Sequence, residues 1–225
     1  MEDNSLDLTG AGKLAKAIPA KAWTRLVDTA CDAFEKCLAP ITETTGGIGR
    51  LIAAKFDRLV DAEKIMTAET FQKASEKIKK AKREPKGNYK PGIIVKVIEE
   101  ASKQTDVNIR ELWANLLAQE ILDGSIHPEV VSILARINAD DAQTLARIAE
   151  DAPKNEHTKA FVTSYTNSIS LGIAGIKLSV QMRPRFTFSE KLLESLNLIE
   201  RSDNKWVLTP IGEGFIESVT EPKEN

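Results

Sequence analysis

The sequence predicts a mostly α protein, a helical bundle with a C-terminal winged-helix-like helix–β-hairpin–helix unit. Three observations carry this reading. The 225 residues hold only 12 Gly and 9 Pro, and their Ala, Leu, Ile, Lys and Glu usage favours helix. Apolar side chains recur three, four and seven positions apart through most of the chain, the period of a helix with one buried face. Strand-like runs around a turn are read in one stretch, residues 198–208. At 42% hydrophobic and 28% charged residues, the composition is that of a soluble globular protein with ample material for a core.

Residues 1–11 read as a disordered tail, and residues 12–84 as an N-terminal helical region with a long helix. Trp23, Leu26, Val27, Ala30, Phe34 and Leu38 form one apolar stripe over residues 14–39, which Pro19 resets and Pro40 ends. After a Thr/Gly cluster at residues 42–49, a long helix is expected over residues 48–83. Leu51, Ile52, Phe56, Leu59, Val60, Ile65 and Met66 supply its apolar side. Its later part, residues 69–83, has few apolar side chains beyond Phe71, Ala74 and Ile78, so it is expected to project into solvent or to pack against a partner. The basic run that follows contains the helix breakers Pro85, Gly87 and Pro91 and is the best linker candidate.

Residues 92–152 read as a central helical scaffold. Ile93, Ile94, Val97 and Ile98 face inward on its first helix. Asp106 caps the next, on which Ile109, Leu112, Trp113, Leu116, Leu117, Glu120 and Ile121 share one broad face; all but Glu120 are apolar. Gly124 closes this helix, and Pro128 sits in the first turn of another that turns Val130, Ile133, Leu134 and Ile137 inward. Residues 138–141 break and recap the chain before Leu145, Ile148 and Ala149. Such short connections imply neighbouring helices.

Residues 157–220 form the C-terminal module, and residues 221–225 a second tail. Ser189 is read as the cap of a helix carrying Leu192, Leu193 and Leu196. Strands at residues 198–201 and 205–208 flank a Ser202-Asp203-Asn204 turn. Thr209 caps a last helix with Pro210 at its first position and Ile211, Phe215, Ile216 and Val219 inward.

Few chemistries fit this chain. Its net charge of -2 gives no global attraction to nucleic acid or to an anionic membrane, so such binding would need a local patch. Cys31 and Cys37 lie roughly 9 Å apart along one helix, too far for a disulfide, and read as thiols in a reducing cytosol. His127 and His157 offer no ligand spacing with them, so neither a metal nor a cofactor is expected. The acidic N-terminus resembles neither a signal nor a transit peptide, and no apolar run reaches a membrane-spanning length. The most apolar stretch, residues 169–180, reads as a buried segment.

Local features give way to plain readings. The Gly-rich piece at residues 44–55 lacks phosphate-loop spacing and a preceding strand, so it reads as a helix start or hinge. Gly46, Gly47 and Gly49 also suit close helix packing or a membrane interface. His127-Pro128 reads as a cap, and Asp140-Asp141 as capping acids at a positive helix end. Anion or nucleic-acid contact is carried by two basic clusters. One is Lys77, Lys79, Lys80, Lys82 and Arg83, which otherwise make a solvated helix end; the other is Arg183, Arg185 and Lys191 with the wing residue Lys205. Glu190 and Glu194 on the helix of Lys191 argue against reading DNA.

The block from Glu111 to Ile148 reads ELWANLLAQEILDGSIHPEVVSILARINADDAQTLARI. It resembles the abortive infection alpha (Abi-alpha) family, bacterial proteins grouped with phage defence. The pattern runs through Trp113, Asn115, Leu116 and Leu117, then His127-Pro128, then Asp141-Ala142. Leu198-Ile199 and Thr209, Gly212 and Phe215 match an "L-I … T-x-x-G-x-x-F" ending. The resemblance implies a mostly α-helical cytoplasmic protein with no established catalytic residues. The expected function is a non-enzymatic, abortive-infection-type role through a protein partner, self-association or peripheral membrane contact by residues 41–83. The alternative is a winged-helix nucleic-acid-binding transcriptional regulator, a partner class that is not favoured.

Overall fold

The computed structural model describes residues 46–150, 157–163 and 187–223, with residues 21, 22, 24, 25, 27–29, 31 and 32. The 1–11 tail, Cys37, most of the 14–39 stripe, the 169–180 segment, Arg183 and Arg185 lie outside the described residues. The chain is mostly α, with one antiparallel hairpin among the described residues. It forms two compact units, the first extending to Ser125 and the second spanning Ile126–Pro222.

The first unit contains α1 (Gly46–Asp57), α2 (Asp61–Ala81), α3 (Pro91–Ala101) and α4 (Val107–Asp123). The single helix expected over residues 48–83 is broken. Val60 is extended (φ -73°, ψ 160°), and its N–H donates to Glu63 at 3.2 Å. Asp61 and Glu63 then place negative charge on the new helix's positive end. The break leaves Leu51 and Val60 exposed, at 51% and 64%, while Ile52 and Phe56 remain buried.

Residues 69–83, expected to project into solvent or to pack against a partner, pack within their own chain instead. The helix α2 packs along α4 with Thr67, Ala68, Thr70, Phe71, Ala74 and Ala81 buried, the last four within this stretch. Ala and Thr contribute little to an apolar count, yet they let two helix backbones approach closely. α3 packs on α1 and α4 through Ile93, Ile94, Val97 and Ile98. α4 is therefore buried far beyond the expected face: Leu112 through Ala118 are all buried. Asp106 caps it as expected, accepting from Asn108 N–H at 2.9 Å and Ile109 N–H at 3.0 Å. Gly124 ends it in the left-handed region at φ 63°.

The second unit contains α5 (Pro128–Leu134), α6 (Ala139–Glu150), a helical segment at residues 157–163, α7 (Phe188–Ser195), β1 (Ile199–Ser202), β2 (Lys205–Leu208) and α8 (Pro210–Val219). The unit boundary thus falls within the block expected to pack as three neighbouring helices. Within α5, Val131 is fully buried and Val130 only half-buried. On α7 the cap is Thr187, two residues ahead of the expected Ser189. Its hydroxyl accepts from Glu190 N–H at 3.2 Å, and Glu190 accepts from Thr187 N–H at 3.0 Å. Arg147 on α6 donates to the same Glu190 carboxylate at 3.0 Å and links the two helices.

The hairpin pairs Ile199 with Leu208, Glu200 with Val207, Arg201 with Trp206 and Ser202 with Lys205. Asp203 and Asn204, at φ 46° and 64°, supply the two left-handed positions of a tight hairpin turn. Thr209 then caps α8, accepting from Gly212 N–H at 3.0 Å while its hydroxyl donates to Asn197 O. Ile211, expected inward, is 50% exposed; the helix meets the strand at Gly212 instead. A Cβ at Gly212 would lie 2.0 Å from the Leu198 carbonyl oxygen. Gly212→Ala is therefore expected to cost about 1–3 kcal/mol by overpacking against backbone. Denaturant unfolding checks this, with Gly214→Ala, where nothing lies within 4 Å, as the mild control.

Candidate functional site

Basic residues of α2 and of the run that follows it meet acids on α4 in a charged seam, and Arg110 on α4 meets Glu69 on α2. Lys73 and Lys77 reach Glu111 at 3.2 Å and 2.5 Å, and Arg110 reaches Glu69 at 3.2 Å. At the other end of the seam, Arg83 and Lys86 pair with Asp123 at 2.5 Å and 2.8 Å. Lys90 closes the run. Its N–H donates to the fully buried Glu120 carboxylate, and its ammonium donates to Gly124 O and lies 3.7 Å from Glu120.

Of the expected anion-contact residues, Lys77 and Arg83 are thus turned onto α4, while Lys79, Lys80 and Lys82 are exposed. Lys82 is the left-handed C-cap of α2. In the second unit, Lys191 donates to Glu194 at 2.7 Å and sits 5.6 Å above the Trp206 ring. Lys205 is exposed at the start of β2. The structure does not bring Lys191 and Lys205 together with the basic run in one compact unit.

The family-pattern residues stand at buried and helix-capping positions. Trp113, Asn115, Leu116 and Leu117 are buried on α4. His127 caps α5, its Nδ1 accepting from Glu129 N–H at 3.1 Å, with Pro128 in the first turn. Asp141 is fully buried and accepts from Asn138 N–H at 2.9 Å, while Asn138 accepts from Asp141 N–H at 3.0 Å.

Sequence reasoning missed Glu111 and Asp123 as anchors for the basic run. One signal was visible: Glu120 is a lone acid on an apolar face, and a carboxylate placed there must find a partner. Burial works to raise the Glu111 carboxyl, but hydrogen bonds and charge from Lys77 and Lys73 outweigh it, leaving it below its ordinary 4.5. Asp123 behaves alike: burial is overcome by Lys86 and Arg83, and the carboxyl lies below its ordinary 3.8.

Among the described residues, no group of three or more His, Cys, Asp or Glu side chains is placed to hold a metal ion. None of their helices is long and apolar enough to cross a membrane. A cavity of about 400 Å³ in the second unit is lined by Ala149, Glu150, Thr158, Lys159, Val162 and Thr163.

The family model described as abortive infection alpha matches residues 62–221 of the chain. No curated protein and no solved structure matches it. The matched span begins at the start of α2 and runs past the end of α8, so it takes in the charged seam, the His127 cap, the Asn138–Asp141 turn and the Thr209 cap at Gly212.

The depressed carboxyls set an acid dependence. Their contribution is fully present above the ordinary carboxyl values and is lost as pH falls through the lower folded ones. A Glu111→Gln, Asp123→Asn variant should lose roughly 1–2 kcal/mol at pH 7, after allowance for solvent screening. It should also show a shallower loss of melting temperature below pH 4.5, the ordinary Glu value. Melting curves of both proteins between neutral pH and pH 3, a range chosen from the ordinary carboxyl pKa values, check the two expectations together.

Proposed function

This chain belongs to the abortive infection alpha family, and on that premise we propose that it acts in phage defence as a non-enzymatic protein, through contact with a protein partner or a second copy of itself. One observation carries the reading. The polar residues of the family pattern are engaged in holding the fold: His127 by its cap, Asp141 by a reciprocal turn, and Asn115 by burial within α4. A catalytic group has to present its reactive atom to a substrate, whereas His127 Nδ1 and Asp141 Oδ2 accept from backbone N–H groups and Asn115 is buried within α4.

The charged seam favours a protein partner over the other expected classes. Lys73, Lys77, Arg83 and Lys86 are matched by Glu69, Glu111 and Asp123. That matching weakens both membrane attraction through residues 41–83 and phosphate contact along the run. Lys191 likewise spends its charge on Glu194 and Trp206.

Phage challenge of bacteria with and without the gene tests the role. Infected cultures should stop growing at high phage-to-cell ratio and survive at low ratio. His127→Ala, which removes a cap worth about 1 kcal/mol, should leave that protection in place. Turnover of nucleotide or nucleic acid by the purified protein, abolished by His127→Ala or Asp141→Asn, would overturn the non-enzymatic reading. A gel shift with a steep salt slope, weakened by Lys191→Ala and Lys205→Ala, would move the assignment to the winged-helix regulator.

A further inference from the structure

We propose that residues 82–90 form an electrostatic latch, a strap held on the last turn of α4 by charge and backbone hydrogen bonds and opened by anything that competes for its cations. No residue of the strap is buried, and residues 84–88 are all exposed. The elements on either side are anchored differently, α2 by Phe71, Ala74 and Ala81, and α3 by Ile93, Ile94, Val97 and Ile98. Apart from the half-buried Tyr89, the strap thus contributes no side chain to the hydrophobic core.

The contacts that hold it are mainly polar and converge on Glu120, Leu122, Asp123 and Gly124 at the α4 terminus. Lys86 N–H donates to Leu122 O at 2.9 Å, and Lys90 N–H donates to the Glu120 carboxylate. Arg83 and Lys86 clasp Asp123, and the Lys90 ammonium caps Gly124 O. Asn88 seats its backbone against Gly124, where a Cβ would lie 2.3 Å from the Asn88 carbonyl oxygen. Arg83 and Lys86 face Asp123, and Lys90 faces Glu120.

The hold is cooperative because its parts share one short loop. Arg83 and Lys86 bring the chain down at Asp123, which places the Lys86 and Lys90 N–H groups on Leu122 and Glu120. When the Asp123 clasp is lost, those two amides lose their positions while the apolar contacts of α2, α3 and α4 persist. Elements of this kind open locally at a cost far below global unfolding. Screening supplies the trigger in its simplest form, acting through the exposed Lys86 ammonium on Asp123 more than on the buried Glu120, since the Debye length falls from about 8 Å at physiological salt to about 3 Å at 1 M. Opening also returns Arg83 and Lys86 to the exposed basic end of α2, beside Lys79, Lys80 and Lys82.

Hydrogen exchange of the full chain, read at the Lys86 and Lys90 amides, tests the latch. Asp123→Asn and, separately, the unaltered protein in 1 M sodium chloride should each speed exchange at both amides about tenfold, with the amides of α3 and mid-α4 unchanged. Two amides indifferent to both treatments would overturn the proposal, because the strap would then be held by something other than charge. A uniform rise across α3 and α4 would overturn it equally, since no separate element would be opening. The salt arm needs no substitution, so it decides the question even where Asp123→Asn folds poorly.

Discussion

The first unit depends on the enclosure of α4. A helix buried across an unbroken run from Leu112 to Ala118 cannot rest on one neighbour. It needs packing surfaces on several sides, and α2 and α3 both pack against it. Enclosure also restricts chemistry. Polar side chains on such a helix must be matched locally, which is why Glu120 takes a backbone N–H from Lys90 and Arg110 donates to Gln104 O and Thr105 O at 3.0 Å and 2.8 Å. The charged residues at the flanks, Glu111 and Asp123, then capture the cations of α2 and its strap.

Much of this was legible in the sequence. Helix starts at Asp106, Pro128 and Thr209, the stop at Gly124, and the hairpin all follow from local residue chemistry, and the structure places them where that chemistry puts them. The misreadings share a cause. Periodicity counts large apolar side chains, so the later part of α2, whose buried face is mostly Ala and Thr, looked too polar to belong to the chain's own core. The same counting carried one helix through Leu59 and Val60, where the capping demand of Asp61 and Glu63 ends it. At α7, Ser189 and Thr187 both suit a cap. Glu190 decides in favour of Thr187 because a reciprocal box needs the acid three residues on.

The pattern by which the family is recognised has a physical reading. Thr209, Gly212 and Phe215 are separate tasks on one turn: the hydroxyl caps α8, the missing side chain lets the helix reach the Leu198 carbonyl, and the aromatic ring fills the core behind it. Leu198 and Ile199 are both buried beneath the same junction. His127-Pro128 and Asn138–Asp141 begin α5 and α6 in the same spirit. Caps and close approaches of this kind hold a scaffold together.

The candidate site was the least legible part, for a reason that reaches past this protein. Basic residues close in sequence suggest a shared external anion, but the inference holds only if their partners are not supplied by the fold. Here the acids that answer Lys77, Arg83 and Lys86 lie on α4, some thirty-four to forty positions away in the chain, at distances of 2.5 Å to 2.8 Å. No local pattern could reveal that pairing. What could be read was the single anomaly of Glu120, an acid where every neighbour on its face is apolar. A buried carboxylate without a partner would be far too costly to keep, so its presence implied that some donor had to be brought to it. The donor proved to be the strap. The run's charge is therefore first an internal fastening, and only to the extent that the fastening yields does it become a surface that another molecule can meet.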